Sequence, residues 1–349
     1  MRKLRFVLIC FLLLVGAGSG YAQFNRKGIK KTNKRMASYH GGKTGFGRQN
    51  TYNSIGFSVN ALNYYGDLSP SPGRLSTDIS FTKPGFAISY TKRLGTRYSI
   101  QGQFMFGTLK GSDAESANKA DANSGFFRYN RNLSFRNQIK ELSVVGMVDL
   151  FENKGTYMSR VKWTPYVYAG LALFLHNPQA IAPAKDLKGN PLPEAGQWVD
   201  LRPLGTEGQY SALSPTDANY GIKPYSLLQM AIPFGLGARF RLTEVLDLSV
   251  DFGFRYTFTD YLDDVSENYV APEKLGSPLA QAMAYRTSEL PGNPTHPVLT
   301  QSGIVVEAGY GDEYPTNKRG TKNQNDIYMV TRIQIAYIIS PSFHRAKFR

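Results

Sequence analysis

Residues 246–258 read Leu-Asp-Leu-Ser-Val-Asp-Phe-Gly-Phe-Arg-Tyr-Thr-Phe. Leu246, Leu248, Val250, Phe252, Phe254, Tyr256 and Phe258 alternate without a break with Asp247, Ser249, Asp251, Gly253, Arg255 and Thr257. Successive side chains of a strand leave on opposite faces, so this stretch has one hydrocarbon face and one polar face. A half-buried strand of a soluble protein usually ends after about five or six residues, whereas this run continues for thirteen. At a tilt of about 45° and about 3.3 Å per residue, a run of that length climbs roughly 30 Å, the depth of bilayer hydrocarbon. The pattern predicts a membrane-crossing strand.

Seven other segments carry the same alternation: 52–64, 84–94, 97–108, 139–151, 165–175, 226–242 and 326–339. Segment 226–242 is the clearest, setting Leu228, Met230, Ile232, Phe234, Leu236, Phe240 and Leu242 against Gln229, Gly235, Gly237, Arg239 and Arg241. Segment 165–175 is apolar on both faces, and Val167, Leu171, Leu173 and Leu175 are assigned outward. Pro233 cannot donate a ladder hydrogen bond, which predicts a local bulge. Connections of roughly 20, 30, 50 and 67 residues alternate with short links at 95–96, 152–164 and 243–245, the asymmetry of long outer loops and short periplasmic turns. The expected fold is therefore all-β, a closed eight-stranded antiparallel transmembrane barrel of the OmpA-like kind over 51–349. An even strand count would put both termini in the periplasm.

The N-terminus agrees with export. Arg2, Lys3 and Arg5 precede an apolar run from Phe6 to Val15, and small residues follow up to Ala22. This reads as a secretory signal over 1–22, too short to span as a helix. The single cysteine, Cys10, lies inside it and lacks the small preceding residue of a lipoprotein, so disulfide and thiol chemistry are not expected of the mature chain. Export through a signal, amphipathic strands and no long apolar helix point together to an outer membrane.

The formal charge is +15, and removing the signal leaves +12. Eight of these positive charges (Arg26, Lys27, Lys30, Lys31, Lys34, Arg35, Lys43 and Arg48) lie within 24–50 without an acid, and Arg345, Lys347 and Arg349 close the chain. Residues 23–50 read as a flexible basic arm that, with the basic C-terminus, could hold an acidic periplasmic partner or anionic lipid. Nucleic acid is not expected, because the arm has no recognisable binding fold and the export signal removes the target.

An eight-stranded barrel has an interior just filled by its own side chains, so a porin is excluded. The inward charges balance, Glu141, Asp149, Asp247 and Asp251 against Arg239, Arg241, Arg255 and Arg332. Buried charge is costly unless paired, which predicts a salt-bridge plug. No small-molecule substrate, cofactor or metal is expected. The competing readings are a rim hydrolase of lipid or peptide, with His176 meeting Asp260, Asp263 or Asp264, and a surface adhesin using the long loops. The run Asp260-Tyr-Leu-Asp263-Asp264 could also attract Ca²⁺, but it lacks the spacing of a defined calcium loop.

Five stretches taken in order carry a resemblance. They are Asn63-Tyr64-Tyr65-Gly66-Asp67-Leu68, Arg131–Arg136 with Glu141 soon after, Thr164-Pro165-Tyr166-Val167, Leu204-Gly205-Thr206-Glu207-Gly208-Gln209, and Tyr256–Ser266 with Thr259, Asp260, Tyr261, Asp263 and Asp264. The set resembles the PorG-like outer-membrane barrels of Bacteroidetes, part of the type IX secretion and gliding machinery, over about residues 50–349. The resemblance implies a non-enzymatic anchor or scaffold contacting a periplasmic ring built from a lipoprotein and a soluble subunit. The basic tail at 25–48 is not matched by that resemblance.

Overall fold

The computed structural model describes residues 50–69, 81–117, 121, 125–292, 295–300, 303–314, 316–322 and 324–339. The basic arm and the C-terminal Arg345, Lys347 and Arg349 lie outside the described residues, as does the signal segment. In chain order the strands are β1 (Tyr52–Tyr65), β2 (Lys83–Arg93), β3 (Tyr98–Ser112), β4 (Ser134–Asp149), β5 (Trp163–Leu175), β6 (Pro178–Ile181), β7 (Trp198–Asp200), β8 (Leu228–Arg241), β9 (Leu246–Thr257), β10 (Pro297–Leu299), β11 (Val305–Glu307) and β12 (Ile327–Ile339). The eight long ones form a closed antiparallel barrel in the order β1-β2-β3-β4-β5-β8-β9-β12, with β12 returning to β1 so that Phe57 faces Ile335 across the seam.

Polarity in this barrel is inverted relative to a water-soluble one. On β9, Asp247, Ser249, Asp251, Arg255 and Thr257 are buried inside, while Phe252, Tyr256 and the following Phe258 are exposed outside. On β1 the exposed side carries Ile55, Phe57 and Val59, and the buried side carries Ser54, Ser58 and Asn60. Only a hydrocarbon surround makes this arrangement favourable, because apolar surface faces outward along whole strands. None of the described helices is long and apolar enough to cross a membrane. On β5 the outward residues are Val167, Leu171, Leu173 and Leu175, and the inward face carries Tyr166, Tyr168, Ala172 and Phe174. Its two apolar faces thus meet lipid on one side and the lumen core on the other.

Pro233 does not make a bulge. β8 keeps one continuous register with β9 from Ala231↔Thr257 to Arg241↔Asp247. Against β5 the ladder runs from Trp163↔Phe240 to Ala169↔Phe234, lapses beside Pro233, and resumes at Ala172↔Ala231 in the same register. The missing N–H removes rungs toward β5 without requiring an inserted residue.

The turns at 94–97, 150–162 and 242–245 lie at one end of the barrel, and the long loops lie at the other. β3 and β4 continue past the rim as a pair as far as Ser112↔Ser134. β6 then adds to β4 through Arg136↔Gln179, and β7 adds to β6, so a small sheet stands on the loop end. The loops also carry the short helices α1 (Asp113–Ser116), α2 (Gly125–Arg131) and α3 (Pro278–Ala284). α3 starts at Ser277, whose hydroxyl accepts from Ala280 N at 3.0 Å, with Pro278 in the first turn where a missing N–H costs nothing. Tyr269, Leu275, Ala280, Tyr285, Ile304 and Val306 give the loops an apolar core of their own.

Candidate functional site

The interior is layered. In the half nearest the short turns, arginines tie the turn backbone to lumen carboxylates. Arg93 pairs with Asp149 and donates to the carbonyls of Gly95 at 2.9 Å and Thr96 at 2.6 Å. Asp149 also takes Arg239 at 3.2 Å. Arg160 reaches in from the 150–162 turn to Asp247 at 2.6 Å and donates to the Glu244 carbonyl at 2.6 Å. Two turns are thereby fastened to each other beneath the barrel.

Higher in the lumen, Asp251 receives Arg332 Nε at 2.8 Å, Tyr166 OH at 2.8 Å and Tyr168 OH at 3.3 Å. Glu141 receives Arg255 Nε at 3.3 Å and Tyr328 OH at 2.6 Å. Gly235 and Gly253 leave room for the Tyr168 ring: a Cβ on Gly253 would lie 1.9 Å from its hydroxyl. Above this layer Leu62, Met105, Leu109, Phe135, Ile139 and Phe174 belong to a fully buried apolar cluster.

Seven of the eight expected lumen charges, all but Arg241, are placed in these ion pairs. Arg241 sits at the turn-side rim and donates to the carbonyls of Met158 at 3.1 Å and Arg160 at 3.0 Å. Arg160 occupies the place beside Asp247 because the long 150–162 turn folds back under the barrel, where a residue outside any strand can enter the lumen. A cavity of about 20 Å³ beside Ser54, Ser99, Ser249 and Gln334 is large enough for about one water molecule.

At the opposite mouth the loops form a buried polar plug, and four of the five sequence stretches meet there; the fifth, Thr164–Val167, opens β5 at the short-turn end. Arg319 is its centre, pairing with Glu207 at 3.0 Å and Asp264 at 3.6 Å. Glu207 also accepts the backbone N–H groups of Ser266 at 2.9 Å and Glu267 at 3.1 Å. Asp264 accepts from Thr206 at 2.6 Å and Tyr225 at 2.7 Å, and holds a left-handed φ of 67°, uncommon for a non-glycine residue but one that aspartate tolerates better than most. Gly205, also left-handed, ends the turn before Thr206. Arg131 clamps Asp113 at 2.8 and 3.0 Å and donates to the carbonyls of Arg319 at 2.7 Å and Asp67 at 2.9 Å. The Asp67 carboxylate accepts Thr321 N at 2.8 Å.

Thr259 brings in β12 by accepting Asp326 N at 3.0 Å, Asp260 accepts Ser266 Oγ at 2.7 Å, and Tyr261 stacks on Tyr225 with ring centres 4.6 Å apart. Tyr65 faces Ile327 across the β1–β12 pair and its hydroxyl reaches Met329 Sδ at 3.9 Å, and Gly66 packs against Tyr64 and Asp326. Burial dominates the titration here. It raises Glu207 to about 7 against the pull of Arg319, raises Asp260 to about 8, and raises Asp264 despite the same arginine.

The rim dyad does not assemble. His176 is buried, its Nδ1 lies 3.3 Å from Asn137 Nδ2 and its Nε2 lies 3.1 Å from the Ser226 carbonyl. Burial lowers its pKa to about 4, so it is neutral, and Asp260, Asp263 and Asp264 are bonded elsewhere. Among the described residues no group of three or more His, Cys, Asp or Glu side chains is placed to hold a metal ion. Sequence reasoning missed Arg93, Arg160, Arg319 and Asp326. Arg319 stands in the polar run Asn317-Lys318-Arg319-Gly320, where nothing separates it from an ordinary surface cation.

A family model described as "Domain of unknown function (DUF6089)" matches residues 46–191. No curated protein matches. Among solved structures, the chain is similar to a major outer membrane protein from Thermus thermophilus at 12% identity, with 82% of this chain and 99% of that chain covered and a TM-score of 0.34. It is also similar to the outer membrane protein OprG from Pseudomonas aeruginosa at 8% identity (83% and 97% covered, TM-score 0.34) and to Neisserial surface protein A at 9% identity (82% and 96% covered, TM-score 0.31). Likeness at these scores adds nothing to the strand pairing, which by itself defines the class: a closed eight-stranded antiparallel β-barrel with its apolar face outward.

Proposed function

We propose that this chain is a non-enzymatic outer-membrane barrel serving as an anchor or scaffold of a type IX secretion machine, with both termini in the periplasm and its partner the periplasmic ring of lipoprotein and soluble subunit. The observation that carries the structural half of this reading is the filled interior. Ion pairs occupy the lower lumen, an apolar cluster the upper lumen, and interlocked loops the mouth. A barrel packed in this way has its surfaces left for function, and a rigid, lipid-embedded body is what an anchor needs. The ordered stretches of the PorG-like resemblance support the choice of machine. Four of the five supply Asp67, Arg131, Glu207, Asp263 and Asp264 to one plug.

Affinity purification of the tagged protein from native outer membranes, followed by mass spectrometry, tests the reading. Enrichment of the ring lipoprotein and its soluble partner is expected. Recovery of the barrel without either would defeat it. Tags at Gly28 and Gly189 test orientation, with the first protected from protease in intact cells and the second cleaved.

A further inference from the structure

The phenol of Tyr64 lies 2.7 Å from Asp263 Oδ2 and 2.6 Å from Asp326 Oδ1. A tyrosine hydroxyl has one proton and can satisfy one carboxylate. With both carboxylates ionised, the second contact would press two lone pairs together at hydrogen-bond distance. The remaining oxygens show where the extra proton belongs. Asp263 already accepts Val265 N on Oδ1 at 3.0 Å and Leu68 N on Oδ2 at 3.3 Å. Asp326 Oδ2 accepts Leu262 N at 2.8 Å, which leaves Oδ1 with the phenol alone.

We propose that Asp326, Tyr64 and Asp263 form a protonated latch that holds the loop plug on the barrel and loosens as pH rises. The proton sits on Asp326 Oδ1, which donates to Tyr64, which donates to Asp263. The chain joins three separate pieces: the end of β1, the segment 258–266 that follows β9, and the residue before β12. Gly66 closes one side, since a Cβ there would lie 2.0 Å from both Asp326 Oδ1 and the phenol. The carboxyl groups of Asp67 and Asp260 face the chain, and each opposes further negative charge on it when ionised. Arg286 and Arg319 line a cavity of about 10 Å³ that Asp263 borders, but their ion pairs go to Glu289, Glu207 and Asp264.

Burial, reinforced by neighbouring carboxylates, holds Asp263 and Asp326 well above the usual carboxylate range. An unfolded aspartate releases its proton near pH 4, so the folded state binds one more proton above that point. Stability must then fall with rising pH until the folded group titrates. Loss of the proton leaves two carboxylates on one phenol beside Asp67 and Asp260. The weakest link is then the segment 258–266, held by side chains and by the backbone bonds of Phe258 N to Met230 O and Asp326 N to Thr259 O rather than by a continuous ladder.

The test uses the full chain folded in detergent micelles, comparing wild type with Asp326→Asn and Asp263→Asn at about pH 5 and about pH 9. An asparagine at 326 can present its carbonyl to Leu262 N and its NH₂ to the phenol, replacing the proton. One at 263 would turn an NH₂ toward backbone N–H groups. The expected result is that Asp326→Asn loses less of its unfolding midpoint between the two pH values than wild type, and resists protease within 258–326 better at the higher one. Asp263→Asn should unfold earlier at both. Glu207 and Asp260 titrate in the same window, so the comparison is of slopes rather than of a slope with zero. A slope for Asp326→Asn equal to wild type would overturn the latch, as would a loss as large as that of Asp263→Asn. Should Asp263→Asn fail to fold, the slope of Asp326→Asn alone decides.

Discussion

The guanidinium of Arg319 lies 3.0 Å from the carboxylate of Glu207, both side chains are buried, and the bond joins loops 112 residues apart. A buried charge that loses its partner retains its desolvation cost, which breaking such a pair puts at about 3–5 kcal/mol. Arg319→Met strands both Glu207 and Asp264. The loops should become susceptible to protease while the barrel keeps its folded mobility on unheated gels. Glu207→Gln, which keeps an acceptor for the Ser266 and Glu267 N–H groups, should be milder.

The plug should also have a pH profile. Burial places Asp260 at about 8 in the folded chain, above the value of an unfolded aspartate. The folded state therefore binds more protons between those values, and stability declines as pH rises from about 4 through about 8. Asp260→Asn should lessen that decline, because its carbonyl still accepts from Ser266. Thermal unfolding followed across the window checks the sign; a midpoint that rises with pH would contradict it.

In the lumen, Arg332→Met removes the cation from Asp251 and should cost about 3–5 kcal/mol. Arg332→Met combined with Asp251→Leu should recover part of the loss, since no charge remains buried alone. Urea unfolding of the single and double variants in the same lipid measures the difference. Additive losses would mean that the pair is not coupled.

Two glycines should behave in opposite ways. Gly253→Ala drives a methyl into the Tyr168 hydroxyl and should cost about 1–3 kcal/mol by overpacking. At Gly146 the nearest atom to an added Cβ is 3.8 Å away, so Gly146→Ala should stay within about 0.5 kcal/mol of wild type.

Phe252→Arg places a cation on the lipid face and should cost about 2–4 kcal/mol near the midplane. The sequence alone suggests that Ser249→Arg is mild if the lumen has room. The structure leaves about 20 Å³ beside Ser249, and Arg239 is its cross-strand neighbour. Ser249→Arg should therefore fail as badly, through overpacking and like charge. Folding yield into bilayers compares the two, and normal folding of Ser249→Arg would show a looser lumen.

The alternation in 246–258 and its seven counterparts determined the eight barrel strands and the face each of their residues takes, because a pleated strand fixes side-chain direction with a period of two. That rule is local, and it holds for Asp251 and Phe252 whatever the rest of the chain does. Partnership across the lumen is a different kind of property. Strand tilt, stagger and the path of the turns decide which arginine meets which acid, so Arg160 from a turn takes Asp247, while Arg241, counted among the lumen cations from sequence, stays at the rim. The same holds at the mouth. Asp67, Glu207 and Asp264 were visible as separate motifs, but their meeting around Arg319 depends on three loops folding onto one another. Contacts spanning a hundred residues leave no periodic trace in the residues that make them, so the wall of this protein is readable from sequence and its plug only from the tertiary structure.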